Sequence, residues 1–213
     1  GVYSTFGQRT YDQLQQDLCI NNNPITILTF AASVWGMNDV THLGIYDIPM
    51  MSNIPNLVYL APTTYEEYIA MLDWSTEQRE HPVAIRVPGA VIHGEKPTKD
   101  YGILNKYETV QKGSGAAIIA LGTFFGMGKQ AAELIEKKTG VKPTLINPVY
   151  ITGIDEELLE SLKKDHKAVI TLEDGILDGG FGEKIARFYG DSDMRETRVT
   201  IDAAVNGVEA LGL

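Results

Sequence analysis

Two kinds of apolar patterning alternate along this chain. Short unbroken apolar runs are separated by stretches in which apolar residues recur every three or four positions, the spacings of buried strands and of helices packed on one face. Leu14, Leu18 and Cys19 have helical spacing, and the cluster Asn21-Asn22-Asn23-Pro24 stops the pattern. Ile25 to Phe30 reads as a buried strand, Leu57 to Leu60 as a second and Pro82 to Val87 as a third. Between the last two, Ala61-Pro62-Thr63 reads as a turn with a helix N-cap, followed by a helix from Thr64 to about Gln78. From Ala31 to about Asn53 the chain is too polar for a core element and too long for a simple connection, which predicts a functional loop.

The second half alternates more regularly. Strands are predicted near Glu108–Lys112, Ala116–Leu121, Pro143–Ile146, Ala168–Leu172 and Thr197–Ile201, with helices at about Phe125–Lys138, Asp155–Lys164 and Phe181–Tyr189. Pro88-Gly89 and the polar run Gly94-Glu95-Lys96-Pro97-Thr98-Lys99-Asp100 mark a boundary. The expected organisation is therefore residues 1–93, a linker at 94–106 and a second domain at 107–213. The fold class is α/β, two domains with mostly parallel sheets covered by helices. The sequence carries no internal repeat and no low-complexity tract.

Composition narrows the function classes. At 213 residues and 44% hydrophobic the chain has ample core for one large or two small domains. A formal net charge of −10 opposes nonspecific binding to nucleic acid or to an anionic membrane, while a pocket for a phosphorylated small molecule needs only two or three local cations. The one cysteine, Cys19, cannot form an internal disulfide and reads as a small buried apolar group, which points to the cytoplasm. No apolar run approaches the roughly 20 residues of a membrane-spanning helix. The opening Gly1-Val2-Tyr3-Ser4, without an initiator methionine, reads as the end of a strand and suggests a piece of a longer protein.

A few residues could carry chemistry. Phe6 and Arg9 fall near one face at a helix start, where a ring can stack on a heteroaromatic ligand and a guanidinium can hold a phosphate or carboxylate. Buried aromatics and solvated arginines are the commoner fates of such residues. His42, in the long loop, can exchange protons near neutral pH. Arg86 ends a predicted strand, where open α/β sheets bind ligands; the competing reading is an arginine paired with a carboxylate. Four scattered histidines and one cysteine give no metal-ligand spacing. Gly126-Met127-Gly128-Lys129 superficially matches a dinucleotide fingerprint, but no acidic residue ends the next strand, and a tight strand-to-helix turn is the better reading.

Tyr3-Ser4-Thr5-Phe6 with Gln8-Arg9 and Tyr11-Asp12-Gln13 resembles the segment by which the 1-deoxy-D-xylulose-5-phosphate synthase family enters its thiamine-pyrimidine-binding domain. Thr41-His42-Leu43-Gly44 with Asp47, Ile54-Pro55-Asn56, Ala61-Pro62, Pro82 to Arg86, Glu173-Asp174-Gly175 and Gly179-Gly180-Phe181-Gly182 follow in the order of the wider transketolase superfamily. The resemblance implies a transferase using thiamine diphosphate and Mg²⁺, joining pyruvate to glyceraldehyde 3-phosphate with loss of carbon dioxide. It implies Phe6 beneath the thiamine pyrimidine, His42 as the catalytic residue facing substrate oxygen, and Tyr3, Arg9, Asn38 and Arg86 on a phosphorylated substrate. It further implies a homodimer, with Gly179 to Gly182 in dimer packing, and a preceding segment carrying the glutamate that polarises the pyrimidine; diphosphate and metal would be held by segments outside this chain. Ala31 and Asn38 depart from the synthase pattern, which has an arginine and an aspartate there, and so weigh on acceptor identity. A transketolase-like ketol transferase, a 2-oxo acid dehydrogenase beta-like subunit and a noncatalytic dimerisation module are the alternative readings.

Overall fold

A computed structural model describes residues 1–33, 40–190 and 198–203, with only the backbone for Val40 and 198–203. The chain opens with β1 (Val2–Tyr3), and the helical turns begin earlier than the apolar spacing predicts. A 3-10 segment (Ser4–Thr10) leads into α1 (Tyr11–Gln13) and a π-helical segment (Leu14–Cys19). β2 (Thr26–Phe30) follows. The expected long loop contains a 3-10 turn (Val40–His42) and the short helix α2 (Asp47–Met51); Pro49 fits there because the first turn of a helix needs no proline N–H. β3 (Val58–Leu60), α3 (Tyr65–Glu77) and β4 (Val83–Arg86) complete the first half. The N-cap of α3 is Thr64 rather than Thr63: its Oγ1 accepts from the Glu67 N–H at 3.1 Å, while Thr63 donates its own N–H and hydroxyl to the Glu67 carboxylate.

These strands form a wholly parallel sheet in the order β1-β2-β4-β3. Its register aligns Tyr3 with Phe30 and Thr29 with Arg86. The C-terminal ends of three strands thus meet along one edge.

The second half supplies β5 (Glu108–Gln111), β6 (Gly115–Ala120), α4 (Phe125–Thr139), β7 (Thr144–Asn147), α5 (Glu156–Leu162), β8 (His166–Glu173), α6 (Phe181–Gly190) and β9 (Arg198–Ala203). Its sheet runs β5-β7-β6-β8-β9, parallel except for β5, which lies antiparallel on β7. The strand-to-helix turn falls at Gly122, with φ +52°, and not at Gly126-Met127-Gly128, which lies inside α4. Gly128 has a packing role instead: a Cβ there would come within 2.6 Å of the Ala120 Cβ, so its absence lets α4 sit close on β6.

The two halves share their interior. One apolar cluster joins Cys19, Ile48, Tyr59 and Ala84 to Ile119, Leu121, Ile151 and Phe181. A second gathers Leu60, Met71 and Ile85 with Tyr101 and Tyr150. Backbone bonds reinforce the join, from the Ile151 N–H to the Tyr59 carbonyl at 2.7 Å and from the Ala61 N–H to the Val149 carbonyl at 2.8 Å. Asp155 locks the connecting segment down. Its carboxylate caps α5 through the Leu158 N–H at 3.1 Å and accepts the Tyr107 N–H at 3.0 Å. Because Asp155→Ala removes a cap and strands a buried donor together, it should cost about 2 kcal/mol in chemical denaturation.

Candidate active site

Four of the residues singled out by sequence come together beyond the C-terminal ends of β1 and β2. The 3-10 geometry of residues 4–10 is the local cause. At three residues per turn, side chains three apart eclipse, and the Arg9 guanidinium carbon lies 5.6 Å from the centre of the Phe6 ring, over its face. His42 reaches the same ring from the second 3-10 turn, its centroid 5.0 Å away and its plane at 80°. Tyr3 stands edge-on to both, 6.1 Å from Phe6 and 6.5 Å from His42. Perpendicular packing suits ring quadrupoles and contributes about 0.5–1.5 kcal/mol per pair beyond area burial.

Polar contacts fix the His42 turn. The Thr41 hydroxyl lies 2.8 Å from His42 Nδ1, and Thr5 donates its hydroxyl to the Thr41 carbonyl at 3.2 Å. Two residues on, Gly44 packs directly on the chain leaving β2: a Cβ there would meet the Ala31 carbonyl oxygen at 2.1 Å and the Ala32 Cα at 2.6 Å. Where the 3-10 segment meets the start of α2, a cavity of about 40 Å³ is lined by Ser4, Thr5, Gln8, Tyr46, Asp47 and Met50, and the buried Ser4 hydroxyl has no hydrogen-bond partner among the described residues.

Arg86 behaves differently from the sequence expectation. It ends β4 at the right edge, but its side chain is only 4% exposed and its donors are engaged within the protein. Nε donates to Asp47 Oδ2 at 2.7 Å and Nη2 to Asp47 Oδ1 at 3.2 Å and to the Gly44 carbonyl at 3.3 Å. Nη1 donates to Asp174 Oδ1, and Nη2 also reaches the Asp174 carbonyl at 3.4 Å. The Tyr59 hydroxyl donates to Asp47, and the Thr123 hydroxyl to Asp174 at 2.6 Å. The carboxylate-paired reading of Arg86 is therefore the one the geometry matches, with all three guanidinium nitrogens bonded to Asp47, Asp174 or the Gly44 carbonyl.

Charge in this cluster is mutually stabilised. Burial would lower the Arg86 pKa, but Asp174 and Asp47 outweigh it and hold the guanidinium well above its ordinary range. Burial would likewise raise Asp174, yet Arg86 and the hydroxyls of Ser33 and Thr123 keep it below the usual carboxylate range. Tyr59 is pushed well up by burial and by Asp47, so it remains a donor. Asn38 lies outside the described residues. Asp47 and Asp174 are the cluster members whose role spacing gave no hint of, standing 39 and 88 residues from Arg86. The available signal was their place in the quoted family motifs, Asp47 after Thr41 to Gly44 and Asp174 in Glu173-Asp174-Gly175.

Comparison with known proteins gives the class. Residues 1–91 match the family described as the transketolase pyrimidine binding domain, and residues 105–205 the transketolase C-terminal domain. The chain belongs to the transketolase superfamily and carries these two domains in that order. Among its curated relatives are 1-deoxy-D-xylulose-5-phosphate synthases. That of Clostridium perfringens (strain SM101 / Type A) is 38% identical over 204 residues, covering 94% of this chain and 32% of the relative. That of Clostridium beijerinckii is 36% identical over 198 residues, covering 92% and 32%. The chain thus spans about a third of the length of these relatives. A solved split-gene transketolase, described as an inactive beta4 tetramer, shares the fold with a TM-score of 0.83 at 20% identity, over 99% of this chain and 69% of that one. A Pichia stipitis transketolase aligns with a TM-score of 0.68 at 17% identity, over 81% and 26%.

The contact distances at Gly44 make the His42 turn sensitive to one methyl group. Gly44→Ala should lower stability by roughly 3 kcal/mol or displace residues 43–47, because the clash is with backbone that cannot rotate away. Denaturant midpoints and near-ultraviolet circular dichroism would register either result, and an unchanged midpoint with an unchanged spectrum would contradict it.

Proposed function

We propose that this chain is the acceptor-facing part of a thiamine diphosphate-dependent synthase that joins pyruvate to glyceraldehyde 3-phosphate, giving 1-deoxyxylulose 5-phosphate and carbon dioxide. The observation that carries the proposal is the meeting of Tyr3, Phe6, Arg9 and His42 on one sheet edge, in a chain 38% identical to such a synthase. Thiamine diphosphate supplies a stabilised carbanion when bound; protein groups orient the reactants and handle protons around it.

The residues present fit the pyrimidine end of that cofactor. Phe6 offers an aromatic surface on the edge where parallel sheets bind ligands; Ser4 and Thr5 of the same 3-10 segment line a small cavity, and the buried Ser4 hydroxyl has no hydrogen-bond partner among the described residues. Among the described residues no group of three or more His, Cys, Asp and Glu is placed to hold a metal. The Mg²⁺ and the diphosphate are assigned to a segment beyond these residues, together with the glutamate that activates the pyrimidine. His42 holds or transfers a proton at the substrate oxygen, its ring oriented by Thr41. Arg9 and Tyr3 take the acceptor phosphate, with Asn38 on the substrate side. Arg86 stands behind this group rather than in the clamp. The working assembly is a cytoplasmic homodimer or a complex with the cofactor-binding segment. Among the described residues no helix is long and apolar enough to cross a membrane.

A second reading is ketol transfer between sugar phosphates, favoured by the reduced clamp: Arg86 is engaged with carboxylates and Ala31 is neutral, so among the described residues Arg9 is the remaining guanidinium on this edge. The whole protein, supplied with thiamine diphosphate and Mg²⁺, should release carbon dioxide from pyruvate in the presence of glyceraldehyde 3-phosphate. Absence of release, with turnover of a ketose phosphate donor, would replace the first reading with the second. Turnover of neither would leave a noncatalytic module. Arg9→Ala should raise the KM for the phosphorylated acceptor by roughly 30- to 150-fold, the loss of about 2–3 kcal/mol of charge-assisted bonding. An unchanged acceptor KM would remove Arg9 from the clamp.

A further inference from the structure

The buried cluster around Arg86 draws its members from both halves of the chain. Arg86, Asp47, Tyr59 and the Gly44 carbonyl come from the first half, and Asp174 and Thr123 from the second. A guanidinium is a flat, rigid fork, so one arginine bonded to Asp47, Gly44 and Asp174 fixes three backbone segments in a common frame. Two neighbouring contacts hold the 44–47 segment as well, one to the Asp174 side and one to the chain leaving β2. The Ile176 N–H donates to the Ile45 carbonyl at 3.1 Å, and the Ser33 N–H donates to the Gly44 carbonyl at 2.7 Å. Gly175 closes on Ile48, where a Cβ would come within 3.1 Å of its Cδ1 and 3.3 Å of the Ile45 carbonyl.

His42 ends its turn two residues before Gly44, so whatever holds residues 44–47 also holds the histidine. We propose that Asp174 is a positioning residue: from the C-terminal half, which among the described residues contributes no side chain to the aromatic group, it acts through Arg86 to set segment 43–47 and thereby His42. The importance of this to catalysis rests on the function proposed above; the mechanical link rests on the contacts alone. Asp174 is suited to the role because its second oxygen is anchored by Thr123, and because the adjacent Glu173 has a separate task. Glu173 accepts the N–H groups of Phe181 and Gly182 at 2.7 and 2.8 Å, capping α6.

That division of labour between adjacent acids provides the control. Asp174→Asn keeps size and shape but removes the charge that Arg86 grips, and Glu173→Gln disturbs the α6 cap. Hydrogen exchange followed by mass spectrometry on the whole protein should show segments 43–47 and 174–178 of Asp174→Asn exchanging about tenfold faster, relative to β6 as the internal reference. Glu173→Gln should loosen 181–184 and leave 43–47 unchanged. Where the protein is active, Asp174→Asn should lower kcat several-fold with little change in the KM for thiamine diphosphate, as expected for a displaced proton-handling group. Should Asp174→Asn fail to fold, Thr123→Val removes one bond from Asp174 and should give the same pattern at smaller amplitude. Exchange at 43–47 that stays unchanged, or rises only in step with β6, would overturn the proposal. An inactive wild-type protein would count against the function proposed above and leave the exchange result to decide this one.

Discussion

A positive charge buried between two negative ones ties the two halves of the chain together. Arg86 ends a strand of the first sheet and is gripped by Asp47 and Asp174, both fully enclosed. Two carboxylates against one guanidinium leave an excess negative charge in the interior. The Tyr59 and Thr123 hydroxyls offset part of it by donating into the cluster. Such a cluster gives little net stability when complete, because desolvation nearly cancels attraction, but losing one member costs about 3–5 kcal/mol. What it supplies is uniqueness of arrangement: sliding the halves past one another would leave a charge without its partner.

That uniqueness matters because the candidate site is assembled from turns rather than from long elements. β1 has two residues and the His42 turn three, too short to hold geometry by their own hydrogen bonds. Their positions come from neighbours: Tyr3 from the register with Phe30, Gly44 from contact with Ala31 and Ala32, and Ile45 from the Ile176 amide. The rigid part of the molecule, two parallel-dominated sheets with a shared apolar interior, carries these turns at the C-terminal ends of its strands, where the α/β architecture leaves room for a ligand.

Most of the scaffold was legible in the sequence because buried strands and one-sided helices have distinct periods. β2, β4, β6, β7 and β8, and the helices α3, α4, α5 and α6, appear within a few residues of their predicted places. Where reading failed, the reasons are local. α2 has five residues and includes Pro49, too short to reveal a period. The antiparallel placement of β5 depends on pairing, to which a four-residue strand is mute. The glycines at 126 and 128 looked like a turn because glycine is needed both for positive φ and for close approach, and sequence does not say which; here Gly122 has the former role and Gly128 the latter. The site divides similarly. The pairing of Phe6 with Arg9 follows from three-residue spacing, whereas the meeting with His42 came from the family resemblance, since no spacing rule links positions 36 apart.

Arg86 shows how position and availability separate. Its place at a strand end was correctly read, and that place made phosphate binding plausible; its availability depended on two carboxylates arriving from distant segments. With Arg86 engaged, the aromatic edge is left, among the described residues, with Arg9, and Arg9 already covers one face of Phe6. A ring has only two faces. A heteroaromatic ligand stacking on Phe6 must therefore use the other face or displace the guanidinium, and an acceptor phosphate recruiting Arg9 must draw it off the ring. Under the proposed function, cofactor and acceptor would therefore compete or cooperate through one side chain. A cation–π contact at an exposed site is worth only about 0.5–1 kcal/mol, whereas a charge-assisted bond to phosphate is worth about 1.5–3 kcal/mol. The balance favours release of Arg9 to the anion, so arrival of a phosphorylated acceptor would expose the ring face on which a heteroaromatic ligand can stack.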